Sequence, residues 1–278
     1  MFKKIVLGLV LILLIFLKYA LAFTEEELKF GFYADRSIAA SYTILFDDAL
    51  TKRISEIGNR IVKASGESNM NYTFRVINDP TINAYSTAGG FVYVNTGLLD
   101  ILESEDELAA VLAHEIGHIR NHHQIKFLYF AYRKAVEGQL IGAFIGAALA
   151  VAGTAAMGPA PSPYSPSYNM YQMYVQQIND LAFQMGGIIG NTVAVSMIKG
   201  YGKEQELEAD KCAVQYTYKA GYDPYALIRV FKKLKLIKDR LEYRERTRFA
   251  SFVNAEPGLD ARIKHAEALI SKLVKNSH

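Results

Sequence analysis

Apolar and polar residues follow one another along the chain with periods that predict helices and a small sheet. Over about 47–65, apolar residues recur every three or four positions, which predicts a helix with one face in a core. The stretch 72–77 alternates with a period of two, and 83–95 contains a β-rich run after Gly89-Gly90, so both predict strands. The other segments with helical spacing are 204–220, 225–241 and 262–274.

Two helix starts carry a capping signal. Ser104 and Glu107 have the spacing of a capping box, and the two acidic residues between them place negative charge at the positive end of the helix dipole. The apolar pattern of this helix continues to about Arg133. Thr24 and Glu27 have the same spacing, which predicts another helix near the N-terminus.

The first residues have the pattern of a secretory signal peptide. A short basic start precedes an unbroken apolar run from Ile5 to Leu17 and the small-x-small sequence Ala20-Leu21-Ala22. The run is shorter than the roughly 20 residues of a membrane-spanning helix. Residues 1–22 are therefore predicted to be removed on export, which leaves Phe23 first; the alternative is a retained anchor.

Composition and charge are those of a globular enzyme. The chain has 278 residues, enough for a sizeable core, and a formal charge of +3 from 31 basic and 28 acidic residues. Three of the basic residues lie in the predicted leader, so the mature chain would carry 28 of each sign and no nucleic-acid partner is predicted. The single cysteine, Cys212, excludes an internal disulfide and is predicted to be a small buried residue.

The segment at about 138–199 differs in composition from the rest. Leu140–Met157 is uncharged and rich in Ala and Gly, a Pro-, Ser- and Tyr-rich loop follows, and 181–198 is again mostly apolar. We predict an insert within a single domain of residues 23–278, with 140–198 forming a membrane-contacting or lid-forming hairpin. The competing interpretation is a pair of helices packed in the domain core, which Gly and Ala would suit.

The predicted helix that begins at Ser104 contains an HExxH sequence, His114-Glu115-Ile116-Gly117-His118. Residues four apart lie on one face of a helix, so both imidazoles can bind one metal ion. Glu115 lies beside them and is the candidate base that takes a proton from water. The neighbouring residues are apolar, and in such a buried setting a histidine needs a reason to be present.

A third ligand is available from the predicted helix at 204–220. A catalytic zinc usually takes three protein ligands and leaves a fourth position open. Glu206 and Asp210 are one turn apart, so Glu206 can bind the metal while Asp210 accepts a hydrogen bond from a ligand histidine. Glu204 and Glu208 are alternative ligands, but the spacing to Asp210 favours Glu206. This donor set predicts one zinc ion per chain.

The two motifs resemble those of the HtpX, BepA and CAAX-prenyl-protease family of gluzincin zinc metallopeptidases. That family has HExxH followed by ExxAD, which are 114–118 and 206–210 here. Residues 83–94 and 200–224 are also similar to the family's segments around the two motifs. The similarity spans about 47–262 and is strongest for the exported BepA-like branch.

The resemblance implies an α+β fold, a mostly helical metallopeptidase domain with a small β-sheet beside the HExxH helix. It implies zinc-dependent endopeptidase activity on exported or membrane-associated proteins, in protein quality control, with misfolded envelope proteins as substrates. A substrate peptide would pair with a sheet edge as an extra strand. The candidate edge consists of Asn83, Ala84, Tyr85 and Ser86. An ordinary edge strand is the alternative.

The resemblance adds two candidate positions near the end of the domain. The family often has a His-Pro pair followed by Arg, and this chain has Glu256-Pro257 followed by Arg262. Arg262 could bind the oxyanion that forms during hydrolysis, or make a salt bridge within the domain. Glu256 could occupy the open zinc position and keep the enzyme latent, or pair with Arg262 or a nearby lysine.

The remaining histidines are predicted to have no part in the site. His122 lies one turn beyond His118, and on a continuous helix His123 points elsewhere, so both are predicted to be structural or surface residues. Glu208 is predicted to be a solvated or helix-packing residue. His265 and His278 are predicted to lie on the surface.

Two other functions remain open from the sequence. The first is a metal-binding chaperone or adaptor that holds unfolded exported proteins without cutting them, although such a protein needs no base at Glu115. The second is an integral membrane protease in which Leu140–Met157 spans the bilayer. Otherwise the protein is predicted to be periplasmic or envelope-associated, peripheral to a membrane.

Overall fold

The computed structural model describes residues 24–66, 70–127, 173, 201–240 and 258–275. Nearly all of them belong to one compact unit, formed by Met1–Gln124 and Ser196–His278; the second unit is Ile125–Val195. The predicted leader, the 138–199 insert apart from residue 173, and Glu256 lie outside the described residues. The signal peptide, the hairpin and the Glu256 plug therefore stay predictions.

Most of the described residues are helical, and a small sheet and connecting segments make up the rest. The elements in chain order are α1 Glu25–Ser41, β1 Ile44–Leu45, α2 Asp48–Ser65, β2 Thr73–Ile77, β3 Ala84–Thr87, β4 Phe91–Asn95, α3 Thr96–Leu99, α4 Glu105–Arg120, α5 Lys203–Lys219, α6 Ala226–Arg240 and α7 Leu259–Lys275. The predicted α+β fold is confirmed. None of the described helices combines the length and the apolar character needed to cross a membrane.

The sheet is mixed and has the strand order β1-β2-β4-β3. The central pair, β2 and β4, is parallel, whereas β1 and β3 pair antiparallel with their neighbours. A short 3-10 turn, Ala88–Gly90, joins β3 to β4, and Gly89 within it has a φ of 75°, which glycine adopts without strain. In the described part of the chain β3 is therefore an edge strand.

The predicted caps are largely present. Thr24 and Glu27 form the full reciprocal box at the start of α1. Ser104 accepts a hydrogen bond from the Glu107 backbone N–H and begins α4. The Glu107 carboxylate, however, accepts from the backbone N–H of Glu103 and pairs with Lys233 at 2.8 Å. Glu107 thus ties α4 to α6 instead of closing the box.

The helix that carries HExxH is shorter than predicted. It ends at Arg120, and Asn121 is the C-cap residue. The Asn121 side chain donates a hydrogen bond to the Gly117 carbonyl at 2.8 Å. His122 follows with a φ of 54°, which is outside the helical region, and helical structure resumes over 123–127. The prediction of one continuous helix to Arg133 is wrong at this break, and residues 128–133 lie outside the described range.

The core surrounds α4. Residues 107–119 of this helix are all buried, including both polar and apolar positions. Ile54 on α2, Val92 on β4 and Phe231 on α6 have no exposed surface and pack in the same cluster. A helix buried on all sides must have every polar side chain satisfied within the protein, since an unpaired buried polar group is costly.

Candidate metal centre

A glycine lets the two motif helices approach closely. A Cβ atom added to Gly117 on α4 would lie 2.7 Å from the Cys212 Cβ and 3.2 Å from the Ala209 backbone on α5. Any larger residue at 117 would push the helices apart. Cys212 is buried at this contact, in agreement with its predicted structural role. The close approach brings the ExxAD side chains of α5 against the HExxH face of α4.

Three side chains from these helices converge on one point. His114 and His118 are one turn apart, and their Nε2 atoms lie 2.9 Å from each other. Glu206 places one carboxylate oxygen 3.5 Å from His114 Nε2 and the other 3.8 Å from His118 Nε2. All three residues are buried, and within the described residues they form the one group able to hold a metal ion. Glu204, the alternative ligand, is exposed.

The donor set and its spacing fit a zinc ion. Bonds of about 2.0–2.2 Å in a tetrahedral arrangement separate neighbouring ligand atoms by roughly 3.4 Å, and the observed separations bracket that value. Glu206 Oε2 is buried and lies between His114 Nε2 at 3.5 Å and Arg262 Nη1 at 3.1 Å. Two imidazole nitrogens and one carboxylate form a ligand set typical of catalytic zinc.

The electrostatic balance of the cluster also favours a cation. Burial alone would lower the pKa of His114, but the neighbouring carboxylates of Asp210 and Glu206 outweigh it and raise the pKa to about 9. The two carboxylates thus favour a positive charge at His114, against the opposing effect of the Arg262 guanidinium. A metal dication could supply the positive charge in place of the imidazole proton.

Asp210 lies on the far side of His114. Its Oδ1 is 3.1 Å from His114 Nδ1, so the His114 ring is held between the metal-facing side and a carboxylate. Burial alone would raise the pKa of Asp210, but the adjacent Arg262 guanidinium outweighs it and holds the pKa below its usual value. An ionised Asp210 is the partner that orients a metal-binding histidine.

Arg262 is fully buried in the cluster. Its Nε and Nη2 donate to the two Asp210 oxygens at 2.9 and 2.6 Å, and its Nη1 lies 3.1 Å from Glu206 Oε2. The guanidinium also stacks over the Phe231 ring, with 4.5 Å between Cζ and the ring centroid. Arg262 therefore makes the internal salt bridge that was one of its two predicted roles, and the oxyanion role stays a prediction.

Glu115 is held next to the ligands by a hydrogen-bond chain. The Ser86 hydroxyl donates to Glu115 Oε2 at 2.9 Å, and Gln124 Nε2 donates to Ser86 Oγ at 2.9 Å. Burial raises the pKa of Glu115 to about 7, although His114 and the Ser86 hydrogen bond act in the opposite direction. A carboxylate with such a pKa can exchange a proton near neutral pH.

The predicted substrate edge lies against this chain of hydrogen bonds. Ala84, Tyr85 and Ser86 belong to β3, and Asn83 immediately precedes it and accepts from the Asn95 backbone N–H at 3.0 Å. Successive side chains of a strand point to opposite faces. Ser86 thus faces Glu115, while Tyr85 stacks on Tyr93 with the ring centroids 5.0 Å apart.

Two participants in the site were missed from the sequence. His123 has no exposed surface, and its Nδ1 lies 2.8 Å from His118 Nδ1, while its Nε2 lies 2.9 Å from Glu208 Oε2. The prediction that Glu208 is only a solvated or packing residue omitted this contact. On a continuous helix His123 would point away, but the break at His122 redirects it. The left-handed φ of His122 is the feature that sequence spacing cannot supply.

Comparison with known proteins agrees with the site. The chain belongs to peptidase family M48, whose family model matches residues 48–270. The predicted family is therefore confirmed.

Individual relatives are proteases from bacteria and mitochondria. The chain is 29% identical over 210 residues to the beta-barrel assembly-enhancing protease of Yersinia pestis, which covers 76% of this chain and 38% of that protein. It is 41% identical over 80 residues to mitochondrial metalloendopeptidase OMA1 of Schizosaccharomyces pombe, covering 29% of this chain and 24% of that protein. It is 28% identical over 195 residues to a protease HtpX homolog of Streptococcus mutans, covering 68% and 60%. The chain thus spans less than two fifths of the length of the first of these relatives.

The close contact at Gly117 predicts that replacing it with alanine destabilises the protein, although helix propensity alone predicts the reverse. Alanine is intrinsically better than glycine inside a helix by about 1 kcal/mol. Because its Cβ would collide with Cys212, we expect Gly117→Ala to lower the free energy of unfolding by about 1–3 kcal/mol and to reduce bound zinc. Urea unfolding and metal analysis would measure the two effects.

Variants of Cys212 provide the control for this prediction. Cys212→Gly removes the Cβ that collides, so the loss caused by Gly117→Ala should shrink in that background. Cys212→Ala keeps the Cβ and should give no relief. A Gly117→Ala protein that is more stable than the parent would contradict the close approach of α4 and α5.

Proposed function

We propose that this chain is a zinc-dependent endopeptidase that cuts exported or membrane-associated proteins. The observation that carries the proposal is the convergence of three buried ligand atoms with a buried carboxylate, Glu115, beside them. Glu206 and Asp210 of the ExxAD sequence on α5 both contact His114 of the HExxH sequence on α4. A protein that only stored a metal would gain nothing from a base in such a position.

The ligand residues of the proposed site are His114, His118 and Glu206, one zinc ion per chain. When bound there, zinc supplies Lewis-acid activation of water and of the scissile carbonyl. The chain contributes the orientation of the three ligand atoms. The backbone N–H of Tyr201 donates to Glu206 Oε1 at 3.2 Å, and Asp210 holds His114 from behind.

Glu115 acts as the general base in this proposal. It takes a proton from the attacking water and later passes it to the leaving amine. Its burial keeps competing solvent away, and the hydrogen bond from Ser86 fixes the position of Oε2. A pKa raised to about 7 by burial suits a group that both accepts and returns a proton.

Arg262 acts as a brace in this proposal, not as a group that binds the oxyanion. All three guanidinium nitrogens contact Asp210 or Glu206, and its ring-stacking face is covered by Phe231. These contacts hold the ligand Glu206 and the His114 partner Asp210 in one rigid unit. Buried Arg–carboxylate pairs with fork geometry are well suited to such a role.

The β3 edge is the proposed binding place for substrate. An extended peptide could add to β3 as a further strand, with main-chain hydrogen bonds that are independent of its side chains. Ser86 would place such a peptide next to Glu115, because the same residue belongs to the strand and contacts the base. This mode suits an enzyme that removes misfolded chains of varied sequence, and the name of the Yersinia pestis relative points to β-barrel assembly as the setting.

Export is part of the proposal and has a direct test. The apolar run and the Ala20-Leu21-Ala22 sequence support cleavage after Ala22 and a periplasmic or envelope-associated enzyme, peripheral to a membrane through 140–198. N-terminal sequencing of the protein from the cell envelope should therefore begin at Phe23. A protein that begins at Met1 would show that the leader is kept as an anchor.

The proposed reaction is tested most simply at Glu115. Glu115→Gln removes the base but keeps the shape of the side chain, so we expect cleavage of an unfolded protein such as casein to fall at least about 100-fold. The zinc content should be unchanged, because Glu115 is not a ligand in this proposal. The matched control is Glu204→Gln, an exposed residue of α5 whose loss should leave cleavage as it was.

Two results would contradict the proposed endopeptidase function. Equal cleavage by Glu115→Gln and the parent would remove Glu115 as the base. A parent protein that binds zinc and unfolded casein but never cleaves it would instead favour the adaptor function.

A further inference from the structure

A pair of polar residues behind His118 has no role in the proposed reaction. His123 is completely buried, whereas the Glu208 side chain is 55% exposed. The two are 2.9 Å apart, and His123 is in turn 2.8 Å from His118. The result is a continuous path of contacts from the proposed metal ligand to the protein surface.

The backbone break after α4 separates the two adjacent histidines. His122 has a left-handed φ of 54°, and its side chain turns outward to contact Glu27 on α1. His123, the next residue, turns inward to His118. Asn121 stabilises the break, since it donates to the Gly117 carbonyl and contacts Cys212 Sγ at 3.4 Å. The local backbone is therefore built to bury His123.

The contacts fix the tautomer of each ring. His118 directs Nε2 toward His114 and Glu206, so as a ligand it must carry its proton on Nδ1. That N–H can donate to His123 Nδ1, which then accepts, and the His123 proton lies on Nε2. His123 Nε2–H in turn donates to Glu208 Oε2. Every donor along this path has an acceptor.

We propose that His123 and Glu208 are positioning residues of the metal centre. They hold His118 in the Nδ1–H tautomer and fix the direction of its Nε2 lone pair. The inference rests on the proposed zinc site, and it gives the second ligand histidine the support that Asp210 gives the first. Partners of this kind normally change metal affinity by about 10–100-fold when removed.

His123 and Glu208 are expected to contribute unequally to zinc binding. Asp210 is buried and paired with Arg262, so its charge acts on His114 with little screening. The Glu208 carboxylate is half in solvent and acts on His118 only through His123. Loss of the His123 ring should therefore weaken zinc binding more than loss of the Glu208 carboxylate.

The test measures zinc dissociation constants by competition with a chromogenic chelator, on the purified full chain. We expect His123→Phe, which keeps a ring but no nitrogen, to weaken zinc binding about 10–100-fold. His123→Asn offers an oxygen at the Nδ1 position and should recover most of that loss. Glu208→Ala should weaken binding by less than His123→Phe. His122→Asn, which tolerates the left-handed backbone, is the matched control and should bind zinc like the parent.

A second measurement separates positioning from packing. Thermal unfolding of the metal-free variants reports any loss of folding stability, and the visible spectrum of the cobalt-substituted proteins reports the ligand geometry. Positioning predicts an altered cobalt spectrum and a smaller stabilisation by zinc in His123→Phe. If that variant does not fold, His123→Asn and the surface variant Glu208→Ala carry the test through the same zinc affinities.

The outcomes distinguish this inference from the proposed function. Unchanged zinc affinity in His123→Phe, with only a lower unfolding temperature of the metal-free protein, would show a packing role and overturn the inference. Equal losses for Asn and Phe at position 123 would also overturn it, because the acceptor at Nδ1 would then not matter. A parent protein that binds no zinc would instead remove the proposed metal centre itself.

Discussion

The structure depends on how charges are satisfied around a helix that has no solvent-exposed face. Seven ionisable side chains in the centre have 3% or less of their surface exposed: His114, Glu115, His118, His123, Glu206, Asp210 and Arg262. Taking a charge out of water costs several kcal/mol unless it is paired and hydrogen-bonded. The two-pronged contact of Arg262 with Asp210 meets that requirement, and it joins α7 to α5. Loss of one partner from such a pair typically costs about 3–5 kcal/mol, so the last helix and the metal site are energetically coupled.

The break after α4 links the remaining parts of the site. Because the chain turns at His122, His123 reaches His118, a proposed ligand, and Gln124 reaches Ser86. Ser86 lies on the edge strand and holds the proposed base, Glu115. One short stretch of backbone therefore positions a residue behind the candidate metal site and a residue behind the proposed base. The proposed chemistry depends on this local geometry as much as on the HExxH sequence itself.

The sequence was sufficient for features that repeat with a fixed period or have a local signature. Helix faces, the Ser104 cap and the one-turn spacing within HExxH and within ExxAD all follow from spacing along one helix. Apart from the end of the HExxH helix, the predicted elements lie within a few residues of the observed ones. Glu206 contacts His114 only because α4 and α5 pack together in one particular register. The sequence predicted this contact because a catalytic zinc usually takes three protein ligands. Family resemblance added the β3 edge and Arg262.

The features that could not be predicted depend on single backbone angles or on contacts distant in sequence. The φ of His122 decides where His123 points, and no periodic pattern contains that angle. The need for a glycine at position 117 becomes visible only in the structure, where Cys212 lies directly opposite it. The sequence left two roles open for Arg262. Its contact with Asp210, 52 residues away in the chain, is visible only in the packed structure.

The proposed function requires a zinc ion held by two imidazoles and one carboxylate between α4 and α5. X-ray absorption spectroscopy at the zinc edge, on the purified full chain with its metal content measured, tests it most directly. We expect one zinc per chain in a four-coordinate shell of nitrogen and oxygen at about 2.0–2.1 Å, with the outer-shell scattering of two imidazole rings. A first shell that contains sulfur, a shell without imidazole scattering, or a protein that retains no zinc would contradict it.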